Sequence, residues 1–117
     1  MQPVEIIIPE FHEFTKCYRI TAEVGGKCVG HVYLYVIGDA VHKGGDKYYA
    51  YVDDLRVDEG MRGQGVGRKL MLALKELAKK EHCYKIVANS HRKRKAARGL
   101  YASMGFVPHG REFRLDL

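Results

Sequence analysis

Apolar and polar positions change their period along the chain. Residues 17–24 alternate at period two, from Cys17 through Ile20 to Val24, and Gly25-Gly26 follows. Residues 28–37 continue with β-branched and aromatic side chains, so the two runs predict a hairpin. Residues 38–47 carry Gly44-Gly45 and two aspartates and predict a second turn, and residues 48–57 a third long strand, completing an antiparallel meander. Before it, residues 4–8 form a short apolar run that predicts a strand ended by Pro9, and residues 9–16 predict a loop. Beyond Gly65 the spacing becomes helical. Val66, Leu70, Ala73, Leu74, Leu77 and Ala78 share one face, with Lys69, Lys75, Glu76, Lys79 and Lys80 opposite, which predicts a helix over 65–81. Residues 84–88 predict a short strand. Residues 93–104, with Ala97, Leu100, Tyr101 and Met104 in phase, predict a second helix stopped by Gly105. Phe106-Val107 opens a further strand, and residues 112–117 predict a closing one. The order β-β-β-β-α-β-α-β-β is that of an α/β fold with a mixed, mostly antiparallel sheet and a central parallel β-α-β unit. No repeat or linker divides it, so residues 1–117 are expected to form one domain.

The junction between the two periods carries the chemistry. Gly63, Gly65 and Gly67 alternate where the third strand gives way to the first helix. Glycines there leave backbone N–H groups uncovered at a helix N-terminus, which makes an anion site suited to phosphate. A P-loop is excluded: Gly60 and Gly65 have its spacing, but Val66-Gly67 stand where Lys-Ser/Thr is required. A dinucleotide fingerprint is excluded too, because the spacing is Gly-x-Gly-x-Gly and the next strand ends in Ala88-Asn89-Ser90 without an acid.

A third phosphate loop, Arg/Gln-x-x-Gly-x-Gly/Ala, is matched fully by Arg62-Gly63-Gln64-Gly65-Val66-Gly67. With it the chain resembles the GNAT superfamily of N-acetyltransferases. Ala97-x-x-x-Tyr101-x-x-x-Gly105-Phe106 resembles that family's second signature and stands one strand downstream, as the family requires. The resemblance covers roughly residues 17–117. It implies acetyl-coenzyme A as co-substrate and direct acetyl transfer to a primary amine of a small molecule or a protein. Backbone N–H groups of Gly63, Gln64, Gly65, Val66, Gly67 and Arg68 would meet the pyrophosphate, with Arg62, Arg68 and Lys69 adding positive charge. Leu55, Arg56 and Val57 would pair with the pantetheine arm where two strands splay apart. Tyr101 matches the general acid for the leaving thiolate. Asp53 matches the position of the amine's base, acting through desolvation or a water, with Asp54 in reserve. Many family members carry Asn where this chain has Arg94. A subset has Arg there with Ser four residues earlier, as Ser90 stands here, so the pantetheine contact falls to Arg94 or Asn89. The family usually places two helices between its first two strands. Residues 9–16 are too few for them, so an open acceptor site is expected, or one closed by a second subunit in a homodimer.

Composition narrows this little. The net charge of +6 suits a polyanionic cofactor, nucleic acid or acidic lipid alike. Arg92-Lys93-Arg94-Lys95 lacks the interleaved aromatics of a nucleic-acid surface, so a basic helix start facing the cofactor is the expectation. The three cysteines and six histidines show neither Cys-x-x-Cys nor His-x-x-x-His spacing, and no metal site is expected. No run approaches the roughly 20 apolar residues of a membrane span, and the N-terminus does not have the form of a secretory leader, so a cytoplasmic location is expected. The rival function is a non-catalytic acyl-coenzyme A-binding or nucleic-acid-associated regulatory module.

Overall fold

The computed structural model describes residues 3–7, 15–38, 47–90 and 94–117. β1 (Thr15–Val24) and β2 (Lys27–Gly38) form the expected hairpin through Gly25 and Gly26, at φ +59° and +80°. A two-residue turn that follows strand twist needs two positive φ values, and glycine adopts them without steric cost. β3 (Tyr48–Val57) pairs antiparallel with β2, and β4 (Cys83–Ala88) pairs parallel with β3, giving the sheet order β1-β2-β3-β4. The crossover between β3 and β4 is α1 (Val66–Lys80), entered through a single 3₁₀ turn at Glu59–Met61. α2 (Lys95–Ser103) follows β4.

The core lies on one face of the sheet. Val32, Leu34 and Val36 of β2 and Ala50 and Val52 of β3 are buried against Leu70, Met71, Leu74 and Ala78 of α1. Leu34, Met71, Leu74 and Val32 are the largest fully buried side chains, so truncating one to alanine would cost ~2–5 kcal/mol. α2 lies beside α1, with Leu100 and Tyr101 packed on the same core. The outer edge of β1 is tied to the end of α1 by Lys16 and Tyr18, which both donate to the Glu81 carboxylate.

β3 carries a bulge. His31 pairs with Arg56 and Tyr33 with Asp53, so Val32 alone on β2 faces both Asp54 and Leu55. The extra residue flips the parity of β3: Ala50 and Val52 face the core before it, Leu55 and Val57 pack against the core after it. Asp54 takes the φ of +50° that this requires.

Three predicted strands do not form among the described residues. Residues 3–7 are unpaired, with Val4, Ile6 and Ile7 exposed; Ile8 and residues 9–14 lie outside the described part. Phe106-Val107 and residues 112–117 are irregular, with Val107, Phe113, Leu115 and Leu117 exposed. Their apolar character and alternation are real, but no neighbouring strand completes their hydrogen bonds, and a lone strand is not stable in water. The turn expected at 38–47 lies largely outside the described residues. The second helix is shorter than the expected 93–104, running Lys95–Ser103.

Candidate acyl-donor site

Register builds the site. β3–β4 pairing runs from Tyr48↔Cys83 to Val52↔Ala88 and stops, while β3 continues to Val57. Past the bulge, the Leu55–Arg56–Val57 edge is therefore left without a β4 partner, and a groove of about 1070 Å³ opens beside it. Arg62, Gly63, Gly65, Val66, Gly67 and Arg68 wall one end of this groove, and Arg94 to Ala97 the other. A wider cavity of about 1640 Å³ holds Asp53, Asp54, Asn89 and Tyr101. Leu55, Arg94 and Ala97 line both, so the two spaces form one continuous cleft.

Uncapped backbone N–H groups and Arg62, Arg68, Arg94 and Lys95 give the groove the means to hold an anion, with Asp58 and Glu59 also in its wall. α1 starts from Gly65 at φ +78° with no side-chain cap and no acidic residue in its first turn, so its leading N–H groups are left for a ligand. Gly63 has the same φ of +78°, and a Cβ on either glycine would touch nothing within 4 Å. At these two positions glycine is required by the backbone conformation rather than by crowding within the protein. Gly67 differs. Its Cβ would make ordinary contacts, 3.5 Å from Leu100 and 3.8 Å from Val57. α2 starts the same way: Arg94 caps it without a side-chain bond, and its first turn holds no acid. Two helix N-termini thus face one groove, and their partial positive charges add. The basic run Arg92–Lys95 leads to the expectation of a helix start facing the cofactor, and Arg94 and Lys95 do line the groove beside the glycine loop.

Three side chains of the loop brace it. Arg62 Nε donates to the Val57 carbonyl (3.2 Å), Gln64 Nε2 to the Gly60 carbonyl (3.5 Å), and an Arg68 guanidinium nitrogen to Ser103 Oγ (3.0 Å). Ser103 in turn donates to the Leu100 carbonyl, so Arg68 ties the first turn of α1 to the last turn of α2. Gln64 does not line the groove.

In the wider cavity Tyr101 is half-buried against Phe106, with ring centroids 5.3 Å apart. Burial pushes its phenol above the usual value of about 10, with the nearby Arg94 charge pulling the other way. Tyr101 therefore stays protonated at neutral pH, ready to donate. Asp53 is exposed on the face opposite the core, directly across from Tyr33. Asp54 is differently placed: Arg56 Nε donates to its Oδ1 (2.6 Å) and His31 Nε2 lies 3.0 Å from its Oδ2. The bonds from Arg56 and then His31 hold its carboxyl below the ordinary carboxylate range, which makes Asp54 a poor proton acceptor. Asn89 is committed to Tyr51, whose hydroxyl accepts from Nδ2 at 2.7 Å. Arg94, by contrast, lines both parts of the cleft. His31 carries no sequence signal of this involvement; it is brought to Asp54 only by the β2–β3 register.

The chain is similar to known proteins in sequence and fold. The model of the acetyltransferase (GNAT) family matches residues 2–106. The chain is 34% identical over 92 residues to a glucosamine 6-phosphate N-acetyltransferase of Trypanosoma brucei brucei, covering 79% of this chain and 59% of that protein. It is 34% identical over 67 residues to N-alpha-acetyltransferase 30 of Saccharomyces cerevisiae, covering 57% of this chain and 38% of that one. The chain thus spans about three fifths of the first relative's length and less of the second. Among solved structures, a Trypanosoma brucei acetyltransferase superposes with a TM-score of 0.70 at 29% identity, over 86% of this chain and 68% of that one.

Proposed function

Because the chain belongs to the acetyltransferase (GNAT) family, we propose that it is an N-acetyltransferase that moves the acetyl group of acetyl-coenzyme A directly onto a primary amine. The observation that carries this reading is the continuous cleft in which two uncapped helix N-termini, the free Leu55–Val57 edge and the Tyr101 phenol converge. In this reading the pyrophosphate meets the first turn of α1, and the pantetheine lies along Leu55, Arg56 and Val57 with Arg94 beside it. Asp53, directly or through a water, takes a proton from the ammonium. The amine nitrogen then attacks the thioester carbonyl, the C–N bond forms, the C–S bond breaks, and the second proton shed by the nitrogen restores the Tyr101 phenol once that has protonated the sulfur. Tyr101 donates to the departing sulfur. The phenol is a weaker acid than a thiol, and burial weakens it further, so it first hydrogen-bonds to the developing thiolate and gives up its proton as the nitrogen's own proton replaces it.

The acceptor end of the cleft favours an anionic amine. Lys75, Lys85, Arg98, Arg111 and Arg114 line the wider cavity against Asp53, Asp54 and Glu112. An amino sugar phosphate, as named for the trypanosomal relative, fits that charge better than an uncharged amine. We also infer a second copy of the chain as a partner, supported by the exposed Phe113, Leu115 and Leu117 and by the position of β4 at the end of the sheet order among the described residues. The three cysteines are free thiols, in keeping with the reducing cytoplasm proposed for it.

The test is calorimetric titration with acetyl-coenzyme A, followed by thiol release over a panel holding glucosamine 6-phosphate, glucosamine and peptide N-termini. Thiol release strongest with the phosphorylated amine is expected. Binding without thiol release on any amine would instead support a non-catalytic acyl-coenzyme A-binding module. Asp53→Asn is expected to lower kcat/KM while leaving acetyl-coenzyme A affinity nearly unchanged; an unchanged kcat/KM would remove Asp53 as the base.

A further inference from the structure

Asp54 is a non-glycine residue in the left-handed region, at φ +50°, in the middle of a strand. An L-residue there costs on the order of 1–2 kcal/mol, and such a conformation persists only where surrounding contacts over-determine it. Those contacts are visible. Arg56 holds one carboxylate oxygen at 2.6 Å and His31 the other at 3.0 Å. A guanidinium nitrogen of Arg19 lies 3.4 Å from His31 Nδ1. Arginine can only donate, so Nδ1 accepts, and the ring proton sits on Nε2, where it is given to Asp54. The chain Arg19→His31→Asp54←Arg56 therefore crosses β1, β2 and β3 at the bulge.

The bulge sets which way the next residues face. Without the extra residue, Leu55 and Val57 would leave the core face and Arg56 would replace them there. With it, Leu55 and Val57 pack inward and the Leu55–Val57 backbone lines the groove. We propose that Asp54 is a positioning residue: clamped by Arg56 and His31, it locks the β3 bulge in the register that presents Leu55–Val57 to the pantetheine arm. The proposal rests on the acyl-donor reading of the groove. It separates the two adjacent aspartates by role, Asp53 facing the amine and Asp54 holding the strand.

The test compares ligands that do and do not use the strand. Asp54→Gly keeps the backbone comfortable at positive φ and removes only the clamp. Asp54→Asn tolerates the same backbone and keeps a hydrogen-bonding group without the charge. Titrations use acetyl-coenzyme A and adenosine 3′-phosphate 5′-diphosphate, which carries the pyrophosphate but no pantetheine. Asp54→Gly is expected to lose about tenfold in acetyl-coenzyme A affinity, the scale of a lost charge-assisted hydrogen bond. Its KM for acetyl-coenzyme A rises correspondingly, while the truncated nucleotide binds as to wild type. Asp54→Asn is expected to fall between. His31→Ala should weaken acetyl-coenzyme A binding in the wild-type background but add little in Asp54→Gly, because both changes break one chain of bonds. Asp54→Gly binding both ligands as wild type does, or losing both equally, would overturn the clamp. Wild-type protein that binds neither ligand would overturn the acyl-donor reading itself and the clamp with it.

Discussion

A Cβ placed on Gly30 would lie 2.9 Å from the backbone carbonyl oxygen of Arg56, the residue at the centre of the free strand edge. The same atom would crowd Leu70 Cδ1 at 3.3 Å and Val66 Cγ1 at 3.4 Å. Glycine at this point lets β2 approach β3 and α1 together, and the Asp58 amide next door donates to the Val29 carbonyl at 2.8 Å. Gly30→Ala is expected to cost ~1–3 kcal/mol, the range for overpacking a filled core. A lowered melting temperature would register it. Because the displaced group is the Arg56 carbonyl, acetyl-coenzyme A affinity should fall as well. An unshifted melting temperature would mean that β2 relaxes freely away from β3.

The three glycines of the loop are expected to separate by mechanism. Gly63→Ala and Gly65→Ala force a side chain into φ +78° and should lose on the order of 1–2 kcal/mol of stability each. Gly67→Ala puts a methyl inside α1 with only ordinary contacts to Leu100 and Val57. Alanine is favoured over glycine in a helix by about 1 kcal/mol, so this variant should be as stable as wild type or more so. Its acetyl-coenzyme A affinity should nonetheless drop, because the new methyl projects at the mouth of the phosphate groove. Thermal melts paired with calorimetry decide it. A stable Gly67→Ala protein that binds normally would show that position 67 is not approached by the ligand.

Tyr101 sets an expectation for the alkaline side of the pH profile. The group works protonated, and burial raises its pKa above the usual value of about 10. Its contribution should therefore persist through neutral and mildly alkaline pH and be lost only as the pH climbs past 10. Any fall in kcat below that comes from another group. Tyr101→Phe should leave acetyl-coenzyme A affinity nearly unchanged and reduce kcat by roughly 10²–10⁴, the usual contribution of a positioned acid. Wild-type turnover in that variant would exclude the phenol as the acid.

How much of this was legible in the sequence depends on the range of the interaction. The β1–β2–β3 meander, α1 and the glycine loop announce themselves through local periodicity and turn chemistry, and each stands where expected. Tyr101 and Asp53 stand out in the sequence only through the family resemblance of the motifs around them, and both line the cleft. The bulge was not legible. One added residue leaves the alternation intact on either side, and only the pairing of His31 with Arg56 and Tyr33 with Asp53 reveals it. The clamp on Asp54 was invisible for the same reason, since His31 stands 23 positions away. The outer strands failed in the opposite sense: their apolar alternation was readable, but alternation does not name a partner.

That missing partner yields the last expectation. Residues 112–117 alternate Glu112, Phe113, Arg114, Leu115, Asp116 and Leu117, and Arg114 Nε donates to Asp116 at 2.6 Å, as side chains two apart on one face of an extended chain can. Phe113 is 91% and Leu115 84% exposed. Neither would persist on a monomer surface without cost, at about 25 cal/mol per Å² of apolar area left in water. β4 stands last in the sheet order among the described residues, and an edge strand is the kind of surface that recruits an added strand. In the proposed homodimer, residues 112–117 of one copy extend the β4 edge of the other and turn Phe113 and Leu115 onto its apolar face. Sedimentation equilibrium should show a dimer, and Phe113→Glu with Leu115→Glu should return it to a monomer that keeps its far-ultraviolet dichroism. Residues 106–112 and Arg114 also wall the wider cavity, so the monomeric variant should lose acceptor affinity more than acetyl-coenzyme A affinity. A wild-type chain that sediments as a monomer at every concentration, with the amides of β4 protected from exchange, would place the closing strand on the chain's own sheet instead.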